Sequence, residues 1–228
     1  MSLLLLACTG GGPGPLGGDD SGSDSFEPSD FGACGAFHAV DQVGASWSWR
    51  YDDPDSYPGS WTQVIDREES GVFVQAVYGT AQPEGRDAYT WTSEWQLSCD
   101  EQGVYQVGGW SRIEDTIDGT TQVAEYGYEY LEPGLLWARD PAVGDSWEQR
   151  LHYQVRDLET GEIVGDTYDH RSTHEVIEQG SVSVTAGTFE GLRVQTGTDE
   201  YPRYYWLVEG IGLVQWEDFS ELTAFSPG

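Results

Sequence analysis

The stretch Tyr89–Cys99 reads YTWTSEWQLSC and alternates between apolar and polar side chains. Its odd-numbered positions carry mostly aromatic residues, leucine and cysteine, whereas its even-numbered positions carry threonine, glutamate, glutamine and serine. Successive side chains of a strand point to opposite faces, so the pattern predicts a strand with one buried and one solvated face. Such strands are typical of antiparallel sheets rather than of parallel sheets covered by helices.

The same alternation recurs along the rest of the chain. It is found in 147–155, 181–186 and 190–195, and in a tyrosine side formed by Tyr126, Tyr128 and Tyr130. A turn at Thr160-Gly161 predicts a hairpin between its flanking runs. No segment shows a capped 3.6-residue period. We predict an all-β protein of about 11 to 13 strands with little helix, folded as an antiparallel barrel, half-barrel or sandwich.

The charge of the chain excludes several classes of partner. The 228 residues include 10 basic and 40 acidic ones, which gives a formal net charge of −30. This excludes reading nucleic acid phosphates and docking on anionic membranes through basic residues. All ten basic residues are Arg, and Lys and Asn are absent. Two explanations stay open: a GC-rich codon bias, and an adaptation to salt in which self-repulsion destabilises the fold when salt is low.

The amino terminus carries a targeting signal. Leu5-Leu6-Ala7-Cys8 resembles the bacterial lipobox, in which an apolar residue is followed by small residues and a cysteine. The resemblance implies cleavage before Cys8 and attachment of diacylglycerol to its thiol, which would anchor the protein to a membrane. Only seven residues precede Cys8 and none of them is basic, so we expect 1–7 to be a partial lipoprotein signal segment.

Residues 8–33 are predicted to form a flexible tether. They are mostly Gly, Ser, Pro and Asp, and such a segment buries too little apolar surface to order itself. No break in composition follows, so we predict a single β domain over 34–228. Together these features predict a bacterial cell-envelope protein, lipid-anchored at the outer membrane, with its domain in the periplasm or on the cell surface. No run of 18 apolar residues is present, so no membrane-spanning helix is expected.

Two cysteines remain if Cys8 carries the lipid. Exported proteins tend to pair such cysteines, so we predict a disulfide between Cys34 and Cys99. Cys99 lies on the apolar side of its strand, which favours a buried bridge over a reactive thiol. Two unpaired buried thiols are the alternative, whereas metal binding needs a denser spacing of ligands.

Three segments near the carboxyl end, in this order, resemble the TapB-like domain found in many bacterial envelope lipoproteins. They are GDSW at 144–147, VSVTAGTFEGLRV at 182–194 and YWLVEGIGLV at 205–214. The resemblance implies an exported β domain without established chemistry, and it transfers no catalytic residue. Taken as structure alone, the motifs predict a turn around Gly187 and a core position for Phe189. They also predict a tight entry into the final strand at Gly210 and Gly212.

A short pattern occurs twice. Val43–Trp47 and Val143–Trp147 both read V-G-x-S-W, with a glycine turn leading into a strand that begins with a core tryptophan. The pattern indicates either two related halves or a coincidence, because two occurrences are too few to define a repeat architecture.

No constellation of catalytic residues stands out. A G-x-S-x-G elbow is missing, and His174–Glu178 begins like H-E-x-x-H but ends in Glu and lies in a strand-like segment. His152, His170 and His174 form a conceivable metal site, although surface histidines are the ordinary interpretation. We therefore predict no catalytic, cofactor-binding or metal-binding residues and no cofactor.

The sequence thus predicts a non-enzymatic, lipid-anchored cell-envelope protein with a binding or scaffolding role. Its expected partners are a membrane, through the lipid on Cys8, and a protein, glycan or apolar ligand of unknown identity. One alternative is a carrier of an apolar ligand or lipid in a curved sheet. Another is a glycan-binding module, for which ten tryptophans provide candidate stacking surfaces. A metal-dependent hydrolase is the remaining alternative.

Overall fold

The computed structural model describes residues 34–51, 58–82, 87–117, 120–198 and 201–228. These residues form an all-β structure of twelve antiparallel strands, and their only helical element is a 3-10 turn at Ala39–Asp41. The strands are β1 (Ser46–Tyr51), β2 (Gly59–Glu69), β3 (Val72–Ala81), β4 (Tyr89–Cys99), β5 (Gly103–Ile117), β6 (Thr120–Ala138), β7 (Ser146–Asp157), β8 (Tyr168–Val184), β9 (Gly187–Thr198), β10 (Tyr201–Val208), β11 (Gly212–Trp216) and β12 (Ser220–Ser226).

The strands close into a barrel. Each strand pairs with the next along the chain, and β12 returns to pair with β1 from Ser46↔Ser226 to Tyr51↔Ser220. The prediction of an all-β antiparallel fold with about twelve strands is confirmed, and of the three predicted architectures the barrel is the one formed. Closure leaves no free sheet edge, which an open sandwich of this size would have.

The strand that decided the fold prediction behaves as expected. β4 lies between β3 and β5, and its side chains Trp91, Trp95 and Leu97 are buried in the interior while Thr90 and Gln96 are exposed. The predicted hairpin after β7 also forms, with Tyr153 opposite Tyr168. Its connection is longer than the two-residue turn, because β8 begins only at Tyr168.

The two V-G-x-S-W segments occupy equivalent places, six strands apart. Gly44 and Gly144 both adopt a positive φ, of 96° and 94°, which favours glycine. The Gly44 N–H donates to the Ile65 carbonyl of β2, and the Gly144 N–H donates to the Val176 carbonyl of β8, each at 2.8 Å. The same backbone turn therefore starts β1 and β7, which supports two related six-strand halves.

One end of the barrel is closed by residues 34–45, which we call the plug. Cys34, Ala39, Val40 and Ala45 are buried in the main apolar cluster. The ring of His38 stacks on Trp137 of β6 at 5.3 Å, and the plug also accepts a backbone hydrogen bond from the β10–β11 turn. Contacts with strands from different sides of the barrel mean that the plug crosses its end.

A disulfide joins the plug to the sheet. Cys34 is bonded to Cys99 at the end of β4, with the two Cα atoms 5.0 Å apart. This is the pairing expected from the sequence, and it lies on the apolar side of β4 as expected. The chain that precedes Cys34 therefore enters the domain at the plugged end. Leu5–Cys8 and the predicted tether lie outside the described residues.

The β8–β9 hairpin extends beyond its neighbours and reaches β12. The Ala186 N–H donates to the Leu222 carbonyl at 3.0 Å, and the Thr185 N–H donates to the Glu221 carboxylate at 2.9 Å. Gly187 begins β9 with a φ of 148°, and Phe189 packs partly buried against the apolar cluster. The V-x-A-G-T-F motif thus forms the predicted turn and core contact.

Candidate ligand-binding site

The barrel is wide for its side chains. Twelve strands with ordinary spacing and tilt give a backbone radius of about 12 Å, against about 8 Å for the eight-stranded barrels that side chains just fill. The plug fills one end. The rest of the interior is occupied by the inward-facing aromatic residues of the strands, so their packing decides whether the barrel is filled.

The interior is buried unevenly. On β1, β2 and β4 the inward side chains are tryptophans that are almost fully buried, namely Trp47, Trp49, Trp61, Trp91 and Trp95. On β6 to β8 the inward side chains Tyr130, Tyr168 and His170 are only partly buried, whereas Trp147, Tyr153 and His174 are buried. Buried residues form two apolar clusters, the smaller of which lies on β7 to β10, and Trp137 and Leu213 pack against both. Tyr130, Tyr168 and His170 are among the inward side chains of β6 and β8 that keep some exposure.

Four inward-facing tyrosines pack against one another in a row, which we call the tyrosine wall: Tyr128, Tyr130, Tyr153 and Tyr168. Tyr153 is central, with ring centroids 4.7 Å from Tyr168, 5.2 Å from Tyr130 and 5.8 Å from Tyr128. The strand register produces this arrangement, since Tyr153 lies opposite Tyr130 on one side and opposite Tyr168 on the other. The wall spans three strands.

The wall offers hydroxyl groups without charge. Tyr128 shares a hydrogen bond of 2.9 Å with Ser111, whereas the hydroxyls of Tyr130, Tyr153 and Tyr168 make no hydrogen bond within the described part of the chain. Burial is the main cause that raises the pKa of each of these three tyrosines, and for Tyr130 and Tyr153 neighbouring tyrosines add to it. All four are therefore neutral at ordinary pH.

The opposite wall is packed more tightly. Trp49 and Trp61 stack at 5.6 Å, and the indole N–H of Trp49 donates to Gln63. Two polar atoms are nevertheless left over: the indole nitrogen of Trp91 and the hydroxyl of Ser220 are buried without a hydrogen-bond partner among the described residues. Buried polar groups normally find a partner in the protein or in ordered water.

All ten tryptophans fall within the described residues, and none is classed as exposed. Seven are buried, and Trp110, Trp137 and Trp216 are partly buried. Most of them therefore pack within the barrel, as alternating tryptophans in β domains usually do, whereas Trp110 lies on the outer face opposite Glu94. Tyr130 and Tyr168, which face the interior, are also partly buried.

The histidines do not meet at one site. His152 lies on the outer face and pairs with Glu132 at 3.4 Å, while His170 lies inside beside Tyr168. His174 is 4% exposed and stacks on Trp147 at 5.2 Å. Across the described ranges, no three His, Cys, Asp or Glu side chains are grouped so that they could hold a metal ion.

His174 lies in a small polar network. Its Nε2 is 3.0 Å from the Ser172 hydroxyl, and its Nδ1 is 3.0 Å from the Tyr205 hydroxyl. Burial lowers its pKa from 6.5 to about 4, with a smaller contribution from His170. A low pKa makes the ring a weak proton acceptor, and no carboxylate orients it as in a hydrolytic triad. The network therefore satisfies a core histidine rather than activating Ser172.

The outer surface offers no basic patch among the described residues. Most of its described arginines pair with carboxylates, for example Arg156 with Glu129 and Arg193 with Glu217. Hydrogen bonds from Arg193 and Trp206 hold the pKa of Glu217 below its usual range, against the opposing effect of burial. In the same described part of the chain, no helix is long and apolar enough to cross a bilayer.

Comparisons with known proteins assign no family. No family model matches the chain, and no curated protein matches it. A crystal structure of a candidate lipoprotein from Parabacteroides distasonis superposes with a TM-score of 0.37 and 12% sequence identity, covering 85% of this chain and 99% of that one. A likeness at this TM-score and identity assigns neither a family nor a function here.

Proposed function

We propose that this protein is a non-enzymatic, lipid-anchored protein of the bacterial cell envelope that binds a small ligand inside its barrel. The observation that carries the binding role is the uneven burial of the interior, with almost fully buried tryptophans on β1, β2 and β4 and the partly buried Tyr130, Tyr168 and His170 on β6 and β8. Ligand sites are concave and mostly aromatic or apolar, with a few polar groups that fix orientation. The tyrosine wall has this composition.

The anchoring rests on Leu5-Leu6-Ala7-Cys8 and on the Gly- and Ser-rich residues that follow. Anchoring through the amino terminus is compatible with the barrel, because Cys34 lies at the plugged end. An anchored barrel would then turn its plug toward the membrane and the opposite end, where β8 begins with Tyr168, away from it. The TapB-like domain and the outer membrane remain predictions from the sequence.

Anchoring is tested by expressing the gene in a bacterial host and analysing the amino-terminal peptide by mass spectrometry. We expect a peptide that begins at Cys8 with diacylglycerol on its thiol, and partition of the protein into the detergent phase of Triton X-114. A Cys8→Ser variant is expected to stay in the aqueous phase. Recovery of an unprocessed, unacylated chain in the soluble fraction would disprove the anchoring.

The binding role is tested by access to the interior. We expect N-ethylmaleimide to label Tyr168→Cys at a rate near that of Tyr78→Cys, which lies on the outer face. Val77→Cys provides the matched buried control, because Val77 faces the interior and is fully buried. Should Tyr168→Cys resist labelling as Val77→Cys does, the interior is closed and the proposed binding role is wrong.

A further inference from the structure

We propose that the far end of the β5–β6 hairpin is a docking edge for another protein, and that an extended, basic segment of that protein adds to the sheet beside β6. This inference goes beyond the ligand-binding role and does not depend on it. Three observations carry it: β5 and β6 run past the strands beside them, the exposed edge lacks the usual protection against pairing, and its surroundings are apolar and acidic.

The barrel is closed where its twelve strands pair, but β5 and β6 extend further at the end opposite the plug. They stay paired with each other to the ends of both strands. On one side, however, the ladder with β4 reaches only Glu114, and on the other the ladder with β7 reaches only Tyr126. Residues 115–117 and 120–124, which we call the arm, therefore project beyond the rim as a two-stranded ribbon.

The last contact between β7 and β6 fixes which backbone groups the arm presents. The Leu158 N–H donates to the Glu125 carbonyl at 2.9 Å. In an antiparallel strand the backbone groups of alternate residues point to the same side, so those of Val123 and Thr121 point away from β5 as well. Within the described ranges, no other strand pairs with this side of 120–124. The arm thus offers the N–H and C=O groups of two residues to an added strand, in the place that β7 leaves.

This edge lacks the features that usually keep sheet edges from pairing. Natural edges are blocked by charged residues, by proline, by bulges or by a covering segment. Residues 120–124 read TTQVA, without charge or proline, and both register shifts between β5 and β6 lie before Gly108, far from the arm. Threonine and valine also favour extended backbone. The arm is therefore suited to accept an extended segment, as in proteins that bind peptides by strand addition.

The surroundings of the edge favour a basic partner over a second copy of this chain. Val123 and Leu158 are each 47% exposed and offer apolar contacts. Glu159 and Glu162, in the turn after β7, are exposed, and their carboxylates make no ion pair within the described part of the chain. A second copy would bring one formal net charge of −30 against another. A segment with apolar and Arg or Lys side chains complements both features.

The edge itself is tested by hydrogen exchange of the full chain, followed for single residues by NMR. The amides of Gln122 and Ala124 point toward β5, whereas those of Thr121 and Val123 point outward. We therefore expect slower exchange at Gln122 and Ala124. Equal exchange rates at the four amides would overturn the assignment of an open edge.

Binding is tested by titrating the full chain with an eight-residue peptide in which valine alternates with arginine. A peptide with glutamate in place of arginine is the charge control. Thr121→Pro removes one outward N–H but no hydrogen bond between β5 and β6, and the arm lies beyond the rim, so the barrel should fold. Thr121→Val keeps the N–H and is the matched control.

We expect the arginine peptide to bind and to slow exchange at Thr121 and Val123. Thr121→Pro should weaken binding by about threefold to tenfold, the usual effect of one lost hydrogen bond, and Thr121→Val should bind as the natural chain does. No binding, or equal binding of the glutamate peptide, would overturn the basic partner. Binding that Thr121→Pro leaves unchanged would overturn the edge as its site. A dimer in analytical ultracentrifugation that Thr121→Pro dissociates would assign the edge to a second copy instead.

Discussion

Acidification should destabilise this protein through two buried histidines. His38 is 2% exposed, with its Nε2 3.0 Å from the Ala138 carbonyl, and His174 is 4% exposed within the Ser172–Tyr205 network. Burial lowers the pKa of each from 6.5 to about 4. Well above pH 6.5 both rings are neutral in the folded and the unfolded chain. As the pH falls below that value, the unfolded chain takes up protons that the folded chain refuses, so stability is lost until the pH reaches about 4.

The size of the loss follows from these pKa values. A histidine with a pKa of 6.5 when unfolded and about 4 when folded costs about 2 kcal/mol of unfolding free energy between about pH 8 and about pH 5. His38 and His174 together therefore predict a loss of about 4 kcal/mol. Native carboxylates with lowered pKa values, such as Glu217, add to the loss mainly at still lower pH.

The assay is urea unfolding, monitored by tryptophan fluorescence at about pH 8 and about pH 5. Near-molar NaCl screens changes in the repulsion between surface charges. His174→Gln should lower the pH-dependent loss to about half, because only His38 then resists protonation. His152→Gln replaces a histidine of the outer face and should keep the full loss. The reasoning would be refuted if the free energy of unfolding fell equally with pH in the natural chain and in His174→Gln.

Three further predictions concern the disulfide, the charge and the extended hairpin. Replacing Cys34 and Cys99 by Ser opens a loop with a sequence separation of 65. The free energy of unfolding should fall by about 4 kcal/mol, which lowers the Tm by about 10 °C. An unchanged Tm would contradict this prediction. Raising NaCl from low to near-molar concentration should raise the Tm, because salt screens the repulsion between the charges of a chain with a net charge of −30. A Tm that does not change with salt would leave codon bias as the explanation of the composition. Glu221→Gln should speed hydrogen exchange at the Thr185 amide, which donates to that carboxylate, while the amides of β4 stay protected; equal exchange in both chains would contradict the contact.

Much of the fold could be predicted from local sequence. The alternation in Tyr89–Cys99 identifies β4 and the face that it buries, and the apolar position of Cys99 agrees with a buried bridge. The V-G-x-S-W turns identify the starts of β1 and β7 because their glycines adopt a positive φ. Closure could not be predicted, since it depends on pairing Ser46 with Ser226, and no local signal fixes a register between strands so far apart.

The candidate site was only partly accessible to sequence analysis. The tyrosine side at Tyr126–Tyr130 is visible as an alternation, and the predicted hairpin brings Tyr153 toward Tyr168. That these two groups form one wall depends on the β6–β7 register, which a bulge between Tyr130 and Glu132 shifts and which the sequence does not reveal. The partners of His174 were missed for a similar reason, because Tyr205 lies 31 residues away on another strand.

The bond between Cys34 and Cys99 also determines how the protein responds to mechanical pulling. Tension applied through the residues before Cys34 passes across the sulfur atoms directly into β4, which is held by β3 and β5 on its two sides. The stretch from Gly35 to β1 is bypassed, so it carries no force while the bond is intact. A barrel attached in this way resists being unzipped from its first strand, because hydrogen-bonded ladders on both sides of β4 would have to shear together. Reduction would redirect the same pull onto β1.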